Sequence, residues 1–85
     1  MSTVDKYAGR DNHGKPKRNY LDRIAAMTDE QLMKETEQKI WLSAYADNNP
    51  RSDYHWHTDA CYDEWQKRGK LDQYTVAYER VERSL

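Results

Sequence analysis

The chain has 85 residues and a mass of 10.2 kDa. That is one small domain, which buries only about 60–65% of the surface its unfolded form exposes and leaves no room for a large enclosed active site. The apolar fraction is 36% and the mean hydropathy −1.30, with only ten Leu, Ile and Val and no Phe, a composition that by itself points to disorder. Against this, the net charge is −1 and the chain carries seven Tyr and three Trp. A chain that does not repel itself and has large rings to bury can fold around an aromatic core.

The longest uncharged stretch, residues 40–46, is far too short to span a bilayer, and residues 1–19 lack the apolar run of a signal peptide. The expectation is a cytoplasmic protein without a membrane partner. A single Cys excludes an internal disulfide and fits a reducing compartment.

Residues 1–19 hold two of the three Gly, one of the two Pro and little that is apolar beyond Val4 and Tyr7. They carry five basic residues against two acidic ones, leaving nine against thirteen for residues 20–85. This predicts a flexible basic arm, 1–19, ahead of an acidic helical domain, 20–85.

Helical signals begin at Asn19, where Tyr20, Leu21, Ile24 and Met27 recur at the spacing of one helix face. Thr28-Asp29-Glu30-Gln31 reads as a capping box that opens a second helix over 29–47. Its inner stripe is Leu32 or Met33, Thr36, Ile40, Ser43 and Ala44, with Trp41 and Tyr45 beside it and a Glu35–Lys39 pair on the wet side. Asn48-Asn49-Pro50 ends this helix. Ser52 or Asp53 caps a third over 54–68, stopped by Gly69. A last amphipathic helix starts at Leu71 and continues through Tyr74, Ala77, Tyr78, Val81 and Leu85. Ile40 and Tyr78 lie at the centres of the two cleanest stripes and are expected to be buried. With no strand-like alternation, the fold class is all-α: a small bundle of three to four helices with a flexible basic N-terminal arm.

Across Thr28-Asp29-Glu30-Gln31-Leu32, Trp41-Leu42-Ser43-Ala44-Tyr45, the run 48–56, Ala60-Cys61-Tyr62-Asp63-Glu64 and Arg68-Gly69-Lys70, the chain resembles small uncharacterised proteins of tailed bacteriophages and prophages. The resemblance covers residues 28–80 and excludes the arm. It implies a phage context inside a bacterial host, where chains of this size bind and inhibit host machinery, including defence systems; it implies no activity. Trp41, Tyr45, Ala60, Tyr62 and the run Arg68-Gly69-Lys70-Leu71 are also similar to tetratricopeptide or pentatricopeptide units, but the spacing is ragged and a solenoid needs about three copies where this chain has one.

Several residues invite chemistry. Asp53, His57 and Cys61 recur every four residues, so on a helix an oxygen, a nitrogen and a sulfur share a face that a Zn²⁺ would suit, which would make the chain a zinc-stabilised module. The plainer account makes Asp53 a cap, His57 an interface hydrogen-bonder and Cys61 a small core residue, and no metal or other cofactor is expected. A Cys61 nucleophile with His57 as base is opposed by Asp59, Asp63 and Glu64, which raise a thiol pKa. The chain is read as non-enzymatic. Lys15, Lys17 and Arg18, followed by Tyr20, could contact phosphates and stack a base, giving a nucleic-acid-associated alternative; a solvated tail is the plainer reading, and the acidic body would repel nucleic acid.

The surplus of aromatics is the strongest functional clue. A bundle of this size cannot enclose ten of them, so some of Tyr45, Tyr54, Trp56, Tyr62 and Trp65 should lie partly exposed, and Tyr and Trp are enriched in interface hot spots. Tyr54, His55 and Trp56, with Asp59, Tyr62 and Asp63 near them, are the candidate partner-binding surface for a host protein.

Overall fold

A computed structural model describes residues 7–46 and 48–84. These form four helices, α1 (Lys17–Ala25), α2 (Asp29–Tyr45), α3 (Asp53–Lys67) and α4 (Leu71–Ser84). The described residues contain no strand, only an isolated bridge between Arg10 and Pro16. None of the described helices is long and apolar enough to cross a membrane.

The helix boundaries follow local chemistry. Thr28 and Gln31 form the reciprocal box, with the Thr28 hydroxyl accepting from the Gln31 amide at 3.1 Å and the Gln31 side chain accepting from the Thr28 amide at 2.9 Å. Ser52 caps α3 by accepting from the Tyr54 amide at 3.2 Å. At the other end of α3, Gly69 takes φ 73° while the Lys70 amide donates to the Trp65 carbonyl and the Gly69 amide to that of Gln66. This is the pairing of a Schellman stop, which needs a left-handed residue and so favours Gly. The second helix ends at Tyr45, two residues before the expected Asp47, which lies outside the described residues.

Helix α1 begins at Lys17, inside the stretch read as an arm. Residues ahead of it lie against α3: the Tyr7 hydroxyl donates to Asp63 at 2.5 Å, the Asn12 amide donates to the Asp53 carboxylate, and the Asn12 side chain donates to the Arg51 carbonyl at 2.8 Å. Residues 1–6, the first part of the arm, lie outside the described residues.

Two apolar clusters share Met33 and Tyr74 at their border. The larger joins Tyr20, Ile24, Leu32, Ala60, Cys61 and Trp65 from α1, α2 and α3, and the smaller joins Ile40, Ala77 and Val81 from α2 and α4. Ile40 is buried as expected, and of the five rings among which some were expected to be partly exposed, Tyr45 and Tyr62 are exposed while Trp65 is fully buried, its indole N–H donating to Thr36 Oγ1 at 3.0 Å. Two expectations are corrected here. Tyr78 is 50% exposed, because Ala77 and Val81 occupy the line of closest approach to α2 and leave the larger ring on the flank. The Glu35–Lys39 pair forms at 3.3 Å but is not on the wet side: both side chains are only 12% exposed, under the Tyr20 hydroxyl, which donates to Glu35 at 2.7 Å.

One side chain ties three helices together. Arg68, 17% exposed, pairs with Glu64 and Asp29, both at 2.8 Å, and donates to the carbonyls of Ile24 at 3.1 Å and Met27 at 2.8 Å. It thereby adds a second donor to the Ile24 carbonyl, which also accepts the Met27 amide, and supplies one to the Met27 carbonyl just past the end of α1. Lys70 also pairs with Asp29.

Candidate functional site

Consecutive residues on a helix point about 100° apart, so the run Tyr54-His55-Trp56 does not form one surface. The structure sends the three in different directions. Trp56 packs inward, its ring edge-on to Tyr20 at 5.5 Å and to His57 at 4.3 Å, with Tyr7 at 6.3 Å and the Lys17 ammonium 5.1 Å from its centre. Its indole N–H donates to Asp53 at 2.9 Å. Tyr54 is half-buried, 6.1 Å from the His57 ring and 5.8 Å from the Lys39 ammonium. His55 joins α3 to the end of α2: Nε2–H donates to the Asn49 carbonyl at 2.9 Å, so in the neutral ring Nδ1 accepts from the Ser43 hydroxyl at 2.7 Å. Asp63 accepts from Tyr7, while Asp59 is exposed.

A different grouping emerges. His55, Thr58 and Tyr62 follow one another at i, i+3 and i+7 along α3, and the Tyr62 ring meets Tyr74 of α4 edge-on at 5.2 Å. Together with Ile40, Ser43, Ala44 and Tyr78, the residues His55, Thr58 and Tyr74 line a groove without a single charged side chain. Tyr78 divides it from a smaller apolar hollow formed with Val81 and Glu82. Tyr62 and Tyr78 are 41% and 50% exposed, so both rings keep a free face. Trp41 and Tyr45 form a second exposed pair, stacked at 5.1 Å on the outer side of α2. Sequence reasoning placed Tyr78 in the core and Trp41 beside it; the i, i+4 spacing of Trp41 and Tyr45, one step around the helix from Ile40 and Ala44, is the signal that marks them as outward.

The zinc grouping is corrected. Asp53 and Cys61 are eight residues apart on α3, roughly 12 Å of helix rise, too far to share one ion. The Cys61 thiol is fully buried, 3.6 Å from the Tyr20 hydroxyl, and Asp53 is taken up by Asn12 and Trp56. Among the described residues no three His, Cys, Asp or Glu side chains gather as a metal would require. Burial pushes the Cys61 thiol pKa up, so it stays protonated and unreactive. Of the basic candidates, Lys15 and Arg18 are exposed and Lys17 lies over Trp56. Tyr20 is buried with its hydroxyl on Glu35, so it cannot stack a base.

His57 lies in a cage of rings, stacked on Tyr20 at 4.2 Å and flanked by Trp56 and Tyr54. Burial and then the nearby Lys39 ammonium lower its pKa from 6.5 to about 4, against weaker opposing pulls from Asp53 and Glu35. The unfolded chain therefore takes up a proton at a higher pH than the folded one. Stability is complete above about pH 6.5 and declines as the pH falls toward 4. Denaturant midpoints across that window should fall by the equivalent of roughly 2 kcal/mol, less than the full shift implies because the ring is only half-buried. In His57→Phe the decline should be much shallower; an equally steep decline would mean that another group is responsible.

No family model, curated protein or solved structure matches this chain.

Proposed function

We propose that this is a non-catalytic, phage-type binding protein that captures and inhibits a host protein through the uncharged groove between α2, α3 and α4, with Tyr62 and Tyr78 as anchors and Asp59 and Glu82 at the rim. The observation that carries the reading is the exposure of these two rings beside a groove with an apolar floor at Ile40 and Ala44. Tyrosine offers a large contact area with little side-chain entropy to lose, and its hydroxyl tolerates solvent before the partner arrives. The candidate chemical groups elsewhere are engaged inside the fold: Cys61 is enclosed as a thiol, and both ring nitrogens of His55 have partners. A host protein dealing with nucleic acid, a defence complex included, is a fitting target, because an acidic rim competes for basic surfaces.

The test is quantitative capture from bacterial host lysate followed by affinity measurement with the captured protein. Tyr62→Ala combined with Tyr78→Ser should weaken binding about 30- to 1000-fold, as loss of central anchors does. Helical circular dichroism should be unchanged, because neither ring belongs to either buried cluster. Asp59→Ala should mainly slow association at low salt. If the double variant stays folded and binds like the parent, the groove is not the interface.

A further inference from the structure

The half-buried polar groups of the groove are Ser43 from α2, His55 and Thr58 from α3, and Tyr74 from α4. The hydrogen bonds among them fix which atoms donate. A carbonyl only accepts, so the Thr58 hydroxyl donates to the His55 carbonyl at 2.7 Å and His55 Nε2–H donates to that of Asn49 at 2.9 Å. Nδ1 of the neutral His55 ring is then bare, and the Ser43 hydroxyl donates to it at 2.7 Å. Tyr74 is hydrogen-bonded to Thr58, whose own hydrogen is already given away, so the phenol is the donor there. Burial keeps that phenol protonated by pushing its pKa up.

Among the described residues, every hydrogen on these four polar side chains is thus committed inside the fold, while the oxygens of Ser43 and Tyr74 accept nothing. A floor that offers only acceptors disfavours carboxylates, phosphates and carbonyls and suits a group made of donors. The surroundings narrow the class. Asp59 is exposed and near enough to Tyr74 to add to its pKa rise, and Glu82 lines the hollow on the far side of Tyr78. Neither acid makes an ion pair among the described residues. Ile40 and Ala44 add an apolar strip. The volume of about 280 Å³ lies below the roughly 300–1,000 Å³ of sites that enclose a free small molecule, so a single side chain of a larger partner fits better.

We propose that the groove recognises an arginine side chain on the host protein, an assignment that rests on the groove's being the interface and names the group that enters it. A guanidinium has several donors and no acceptor, so it can meet Ser43 and Tyr74 together. Its plane stacks on the open Tyr78 ring, and its methylene stem covers Ile40 and Ala44. Asp59 and Glu82 supply the opposite charge at the rim. Lysine brings the charge without the plane.

The experiment is an NMR titration of the full chain with N-acetylarginine amide and with the matching lysine and norleucine amides, all at one ionic strength. Arginine should give saturable shifts at Ser43, Thr58, Tyr74 and Tyr78, and should bind about three- to ten-fold more tightly than either of the others. Tyr74→Phe, which keeps the ring and removes one acceptor, should weaken arginine about three- to ten-fold and leave norleucine unchanged. An equal loss for both would mark a merely structural role for Tyr74 and overturn the assignment. The proposal is also overturned if arginine gives no saturable shift at these residues, or if lysine or norleucine binds as tightly as arginine. Absence of arginine binding, with host-protein capture lost in Tyr62→Ala combined with Tyr78→Ser, sinks the arginine assignment and leaves the interface standing; arginine binding with capture intact in that double variant does the reverse.

Discussion

Replacing Arg68 with alanine should cost about 3–5 kcal/mol and lower the melting temperature by roughly 15–25 °C in a domain of this size. The reason is what the change leaves behind. Glu64, whose side chain is 9% exposed, would keep among the described residues only the distant Lys67 ammonium at 4.0 Å, and the carbonyls of Ile24 and Met27 would lose their shared donor. Removing one partner of a buried pair is costly because the other remains buried and charged. Asp29 is less affected, since Lys70 still pairs with it. Arg68→Lys should recover little, because a single ammonium cannot reach two carboxylates and two carbonyls with the fixed fork of a guanidinium. Glu64→Gln in the Arg68→Ala background should restore part of the loss. Chemical denaturation of these four chains checks the account, and a cost below about 1 kcal/mol for Arg68→Ala would show that the node is only superficial.

Trp65→Ala should be comparably damaging, at about 3–5 kcal/mol. Trp65 is the largest fully buried side chain, in contact with the Tyr20, Ile24 and Leu32 cluster. It also closes a short relay: its indole N–H donates to Thr36 Oγ1, and that hydroxyl donates to the Leu32 carbonyl at 2.6 Å. Trp65→Phe retains most of the ring but removes the donor, so it should cost about 1–2 kcal/mol less than alanine. Tryptophan fluorescence is a poor readout for this series; far-ultraviolet circular dichroism against urea is suitable. Equal stability of the alanine and phenylalanine variants would contradict the packing account.

The helices were legible because their ends are local. Thr28 and Gln31, Ser52, and Gly69 each act within a few residues, and all three boundaries fall within two residues of the expected positions. Which aromatic rings are inside is not local. Trp56 turns inward because α1 brings Tyr20 against it, and Tyr78 turns outward because the α2–α4 contact has room for Ala77 but not for a phenol at the centre. The same limit affected Glu35 and Lys39: their spacing predicts the pair, but only the approach of Tyr20 shows that it is sheltered. Of the partner-binding candidates, Tyr62 and Asp59 were identifiable as outward residues by position on α3.

The lone thiol has a practical consequence. Cys61 is wholly enclosed between α1, α2 and α3, so a thiol-reactive reagent reaches it only when those helices part. Its modification rate in native buffer therefore reports the free energy of opening the larger cluster. Leu71 and Tyr74 of α4 also pack on this cluster, so a displacement of that helix loosens the same enclosure. The chain thus carries a built-in clock on the larger half of its interior.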